Sequence, residues 1–342
     1  MSFTISLPSD AHDALIQARI DSKTKPPGAL GMLERLALQA ARALGPEQPR
    51  VERPRLLVFA GDHGVSDEGV SIAPSIVTTQ MVSNFLAGGA SVNVFARQAG
   101  LPVTVVDCGI RVPVEDERII NHRLGAGTAA IHLAPAMSEA AMQEGLANSR
   151  RLIGTLKAEG TNVIALGEMG IANTTASSAL LAALTGAPVS DCTGRGTGID
   201  APTLLRKKAV IRQALQRHQT ALDQPETLLA TLGGFEIVGL VGAILAAAEA
   251  GMLVLIDGFI VTVAAAVACA MVPQARAWLI FSHCSDERGH QLALDWLEAE
   301  PLLSLGLRIG EGSGAALALP LLHAALAFYN DMATFEQAGV TV

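Results

Sequence analysis

Glu311 lies between two glycines in "RIGEGSGAALALPLL", where an apolar run gives way to a helical stretch rich in small residues. A carboxylate there adds little to solubility and is hard to account for as packing. Glu168 has the same setting in "LGEMG". Glycines on both sides let the backbone approach a ligand closely, and Glu is a mediocre helix cap. Both acids are therefore candidates for chemistry. A second group points to an anion. "GEMGIANTTASSALLAAL" (167–184) places Asn173, Thr174 and Thr175 where a first helical turn should begin, with free N–H groups and hydroxyls together. Either these residues cradle a phosphate or Asn173 or Thr174 simply caps the helix. The glycine-rich "DCTGRGTGID" (191–200) is followed by Lys207 and Lys208, which supply positive charge or form a solvated helix face.

Histidine and cysteine give a weaker signal. "SHCSDERGH" holds His283, Cys284, Asp286 and His290, and "GDHG" adds Asp62 and His63. These types bind zinc, but no H-E-x-x-H or paired-cysteine spacing is present. Hydrogen-bonding roles are expected, with no metal and no cofactor required. Familiar phosphate motifs also fail. No G-x-x-x-x-G-K-[ST] loop occurs, and "GEGSGA" comes too late for a dinucleotide fingerprint, because only about one helix of chain follows it. "LIDGFIVT" is faintly similar to the pyrophosphate-sugar loop of ordinary phosphoribosyltransferases but lacks its paired acids.

The elements that must hold these residues follow an α/β pattern. "SDAHDALIQARID" (9–21) and "LGMLERLALQAARALG" read as helices, the second closing on Gly45, with "SKTKPPGA" breaking the chain between them. After Pro54, short apolar runs alternate with longer Ala-, Leu- and Gly-rich stretches, as in a mostly parallel sheet with crossover helices. Six runs are candidate strands: "LLVFA", "VTVVD", "NVIAL", "MLVLI", "AWLIF" and "LGLRI". Each leads into a polar residue, usually beside glycine: Asp62-His63, Asp107, Glu168, Asp257, Ser282-His283 and Glu311. The carboxyl ends of parallel strands form the ligand crevice of such sheets, so six polar ends in succession read as the wall of a site. Asp107 and Asp257 fit equally well as caps of the following helix.

Composition narrows the classes. Half of the 342 residues are hydrophobic and only 16% are charged, which supports a large core and disfavours disorder. A net charge of −8 with 4% aromatic residues argues against a nucleic-acid surface. The cysteines, Cys108, Cys192, Cys269 and Cys284, are scattered, as in reduced cytosolic thiols. The start lacks the pattern of a signal peptide, and "FIVTVAAAVACAMV" (259–272) falls short of a membrane span and reads as a buried helix. A cytoplasmic protein with no membrane and no nucleic-acid partner is expected.

The blocks "GDHGVSDEGVS", "FLAGGASVNVFAR", "LGEMGIANTT", "GRGTGID", "LIDGFIVTVAA", "SHCSDERGH" and "RIGEGSGAALALPLL" occur in this order. Together, and from "TKPPGALGMLERLA" to "FEQAGVTV", the chain resembles the nicotinate-nucleotide–dimethylbenzimidazole phosphoribosyltransferases of cobalamin biosynthesis. The resemblance implies transfer of phosphoribose from nicotinate mononucleotide to 5,6-dimethylbenzimidazole, giving α-ribazole 5′-phosphate and nicotinate with inversion at C1′. It implies a homodimer and a Rossmann-like three-layer α/β/α fold with a small helical domain from both termini. The divisions expected are 1–50 and 316–342 for the helical part and 51–315 for the catalytic α/β part.

By position in the motifs, Glu311 matches the general base and Glu168 a second acid acting on the ribose or on developing positive charge. Gly170, Asn173, Thr174, Thr175 and Lys207 match a 5′-phosphate cradle, and Asp257 a structural or ribose contact. Gln80, Met81, Met169 and Ile309 are expected to enclose the base. With so few aromatic residues, that pocket would discriminate loosely among benzimidazoles. A nucleotide N-glycohydrolase, or a non-catalytic nucleotide-binding regulator on the same scaffold, would share many of these features. Product analysis separates the first. Two acids close to a phosphate ester would serve a pure binder poorly.

Overall fold

A computed structural model of the chain describes residues 1–196 and 198–341. Six strands form one sheet: β1 (Arg55–Gly61), β2 (Val103–Gly109), β3 (Ile120–Asn121), β4 (Val163–Met169), β5 (Leu253–Ile256) and β6 (Leu279–Phe281). Their spatial order is β3-β2-β1-β4-β5-β6, and every neighbouring pair is parallel. The winding reverses between β1 and β4. Crossovers on the two sides of that point leave opposite faces, so a crevice opens above the ends of these strands.

Side chains alternate along each strand between two cores. Leu57 and Phe59 of β1, Ile164 and Leu166 of β4, and Val254 and Ile256 of β5 enter one core. Helices Glu139–Ala158, Asn173–Thr185, Phe235–Glu249 and Phe259–Met271 supply the rest of it. Leu56, Val58 and Ala60, with Val163, Ala165, Leu253 and Leu255, face the other core. There they meet helices Asp13–Asp21, Met32–Leu44, Ser91–Gln98 and Ser313–Asp331, so both chain ends pack on one face of the sheet. The chain is thus an α/β fold with helices on both sides of a parallel sheet.

Some expectations change. The 305–309 run is not a strand. Gly306 adopts φ +66°, which breaks the pleat, and Leu305 and Ile309 are exposed, so an added strand would bury little. Just before the run a single parallel bridge joins His283 to Leu303, and within it the Leu307 carbonyl accepts one backbone bond, from Asp286 at 2.9 Å. β3, only two residues long, takes the sixth place in the sheet. The first helix begins at Asp13 rather than near Ser9, and no side chain caps it. The second does end against Gly45, at φ +101°. Helix Phe259–Met271 is buried. Helix Ser313–Asp331 is long and apolar enough to cross a membrane, but its Ala315, Leu319, Leu322 and Leu326 are buried in the second core. It is a core helix.

Candidate active site

A cavity of about 490 Å³ opens at the carboxyl edge of the sheet, beside the β1/β4 reversal. Glu168, Asn173, Thr174, Gly196, Glu287, Arg308 and Glu311 give it polar groups. Ile72, Val77, Met81, Met169, Phe259 and Ile309 make most of its apolar wall. Small ligands are commonly held by such a mixture, a greasy enclosure with few convergent polar atoms.

Glu168 is the sixth residue of β4 and is fixed by the sheet register opposite Phe59. Its carboxylate accepts from the Asn173 amide, whose own helix starts four residues after the strand ends. The turn between them is tight. Ala172 takes φ +74°, and a Cβ on Gly170 would lie 2.4 Å from the Gly61 carbonyl oxygen. Burial raises the Glu168 pKa to about 8; the Asn173 hydrogen bond opposes this, and the neighbouring carboxylates Asp257, Glu236 and Glu311 reinforce it. At neutral pH this acid is mostly protonated.

Glu311 reaches the same cavity from a segment outside the sheet. Its N–H donates to the Glu168 carbonyl at 3.2 Å. The carbonyl of Glu311 would lie 2.3 Å from a Cβ on Gly167, so only glycine in β4 admits the turn. Glu311 itself has φ +68° and Gly312 φ +89°; helix Ser313–Asp331 follows. Asp257, at the end of β5, accepts from the N–H groups of Gly312 (3.1 Å) and Ala315 (2.9 Å). It satisfies the orphan donors of that helix, a structural contact. The Glu311 carboxylate accepts from the Ser91 hydroxyl at 2.8 Å. Burial lifts its pKa, against the pull of the Ser91 hydroxyl and the Val92 N–H.

Lys207 is fully buried and donates to the Thr174 hydroxyl at 2.7 Å. Desolvation lowers its pKa to about 8, while Glu287 works to raise it. A Cβ on Gly196 would be 3.4 Å from the Thr174 Oγ1 and 3.8 Å from the Lys207 Nζ, so the glycine-rich loop closes over this pair. Lys208 is half-buried on the same helix, Ala201–Arg217.

The expected residues therefore divide. Glu168, Met169, Gly170, Asn173, Thr174, Met81, Ile309 and Glu311 line the cavity, with Lys207 directly behind Thr174. Gln80 does not: it is exposed, because successive helical residues diverge by about 100° and Met81 takes the inward position. Thr175 is buried away from the cavity, and its hydroxyl has no partner. Asp257 holds the helix start.

The histidine clusters resolve into separate contacts. Among the described residues, no three His, Cys, Asp or Glu side chains are placed to share a metal ion. His290 accepts the Ser285 N–H at Nδ1 (2.8 Å), so its Nε2 hydrogen faces the Thr262 hydroxyl at 2.9 Å. Burial, with His283 nearby, lowers its pKa to about 3, so it is neutral. Asp62 accepts from the Thr78 hydroxyl (2.7 Å) and the Arg111 N–H (2.8 Å), and Thr78 in turn accepts the Ile171 N–H. That chain ties β1 to the Glu168 turn. His63 lies 2.5 Å from a carboxylate oxygen of the fully buried Glu236.

Sequence reasoning passed over Glu236, Ser91, Glu287 and Arg308. Ser91, Glu287 and Arg308 lie inside the motifs "FLAGGASVNVFAR", "SHCSDERGH" and "RIGEGSGAALALPLL", where nothing local sets them apart. Glu236 had a usable signal, as a lone acid near the start of the apolar helix Phe235–Glu249.

A phosphoribosyltransferase family model matches residues 5–340. The nicotinate-nucleotide–dimethylbenzimidazole phosphoribosyltransferase of Shewanella loihica is 56% identical over 99% of this chain and 100% of its own length. That of Shewanella oneidensis is 58% identical over 99% and 97%. The crystal structure of the enzyme so described from Thermus thermophilus superposes with a TM-score of 0.92 at 40% identity, covering 98% of this chain and 99% of that one. Matched end to end in sequence and in fold, the chain belongs to this phosphoribosyltransferase family.

Proposed function

We propose that the protein transfers phosphoribose from nicotinate mononucleotide to 5,6-dimethylbenzimidazole, yielding α-ribazole 5′-phosphate and nicotinate for cobalamin assembly. The relatives' names supply the substrates. The observation that carries the reading for this chain is one apolar cavity holding two acids with raised pKa values beside a buried lysine and hydroxyl pair.

The 5′-phosphate takes Lys207, the Thr174 hydroxyl and the Thr174 N–H at the start of helix Asn173–Thr185. One benzimidazole nitrogen attacks C1′ as the bond to the pyridinium nitrogen breaks. The electron pair of that bond leaves on neutral pyridine, so departure needs no acid. The other benzimidazole nitrogen gives its proton to the Glu311 carboxylate. Attack opposite the leaving group inverts C1′, from a β-nucleotide to an α-product. Glu168, mostly protonated at neutral pH, donates to a ribose hydroxyl. Met81, Met169 and Ile309 enclose the ring.

The same reading makes the enzyme a soluble cytoplasmic homodimer. It groups 1–50 with 316–342 as a helical unit beside the 51–315 catalytic unit, and the antiparallel bridge between Lys23 and Thr334 supports that grouping. The test incubates purified protein with nicotinate mononucleotide, with and without dimethylbenzimidazole. Expected is α-ribazole 5′-phosphate only when the base is present. Ribose 5-phosphate released at equal rate without the base would replace transfer by hydrolysis.

A further inference from the structure

Beside the phosphate subsite proposed above, a protein carboxylate already holds a backbone donor that faces the same cavity. Glu287 lines the cavity, and its two oxygens accept the Gly196 N–H at 3.0 and 3.2 Å. Gly196 is the residue whose Cβ would touch Thr174 and approach Lys207. A Cβ on Gly194 would stand 2.2 Å from the Glu287 carboxylate, so the loop is wrapped around it. Glu287 immediately precedes helix Arg288–Trp296 but makes no side-chain cap for it, so moving the carboxylate leaves that helix start intact.

We propose that Glu287 is a resident anion at the phosphate subsite, displaced from Gly196 by the nucleotide's 5′-phosphate, and that it thereby weakens the enzyme's hold on the nucleotide. The inference rests on the phosphate assignment of Lys207 and Thr174, which Gly196 adjoins. A phosphate held by these groups meets Glu287 as a like charge in a poorly hydrated site, and both cannot keep the same donors. A phosphate dianion competes better than a carboxylate for an ammonium and an N–H, since charge-assisted bonds strengthen with acceptor charge.

The experiment measures inhibition by inorganic phosphate, and the KM for nicotinate mononucleotide, in the wild-type enzyme and in Glu287→Gln. The amide still accepts the Gly196 N–H but carries no charge. Both constants should fall about three- to tenfold, as the fraction of enzyme open to phosphate grows. Unchanged or higher constants overturn the proposal, because a residue that merely anchors the loop would not compete with phosphate. Crystals of the unaltered enzyme soaked in inorganic phosphate give an independent reading. A phosphate oxygen on the Gly196 N–H with Glu287 turned away supports displacement, whereas bound phosphate with the Glu287–Gly196 contact intact overturns it. Lys207→Ala keeps the two layers distinct. An unaltered nucleotide KM in that variant removes the phosphate subsite itself, while a raised KM beside an unresponsive Glu287→Gln removes only the displacement.

Discussion

Glu168 and Glu311 both stand at glycine-flanked turns that enter a helix through left-handed backbone, at Ala172 in one and at Glu311 and Gly312 in the other. Their supports differ. Glu168 belongs to a strand paired on both sides, and its carboxylate is tied to Asn173. Glu311 sits on a strandless segment, held by a carbonyl of β4 and by the helix that follows. The sheet thus fixes one acid in a setting that keeps it protonated. The other is mounted at the cavity, where burial raises its pKa and a hydroxyl and an N–H oppose that rise. Under the proposed mechanism, similar turns yield a hydrogen-bond donor and a base because burial and partners differ, not because the residue type does.

The sharpest way to break this contrast is Glu311→Gln, which should lower kcat by about 10²–10⁴-fold with little change in nucleotide binding. Near-normal turnover would end its assignment as base. Glu168→Gln should cost much less at pH 7, within about tenfold, since an amide imitates the protonated acid and one hydrogen bond is at stake. The deficit should change as pH rises through about 8, where the native side chain ionises. A loss at pH 7 equal to that of Glu311→Gln would erase the distinction.

The phosphate end responds to the same pH window. Lys207 is cationic below about 8, so if it holds the phosphate as proposed, its attraction is present there and fades above it. Nucleotide KM should climb above pH 8, and Lys207→Arg, which keeps its charge, should flatten the climb. A profile that is flat in the unaltered enzyme would detach Lys207 from the phosphate. The smallest effect concerns support alone. Asp257→Ala should lower stability by about 1–2 kcal/mol through loss of a helix cap, visible as a reduced Tm.

Much of this contrast could be read before the fold was known. Five strands announced themselves as apolar runs, and both acids as lone charges between glycines. The 305–309 run has the same composition as a strand, but Gly306 and the exposure of Leu305 deny it a neighbour, a tertiary fact invisible in the run itself. Gln80 and Thr175 stand apart from the cavity wall for a simpler reason. Adjacent helical residues face different ways, and only packing says which of them turns inward. The His63–Glu236 contact spans 173 positions along the chain, and no local pattern announces such a meeting.

The missing side chain at Gly167 carries a practical lesson for anyone reshaping the acceptor's enclosure. Because the main chain bearing Glu311 is seated directly on the middle of the sheet, substitutions that add bulk there would shift its carboxylate along with the wall. Redesign for larger or differently shaped heterocycles belongs at Val77, Met81 and Ile309, where volume can be traded without disturbing the seat.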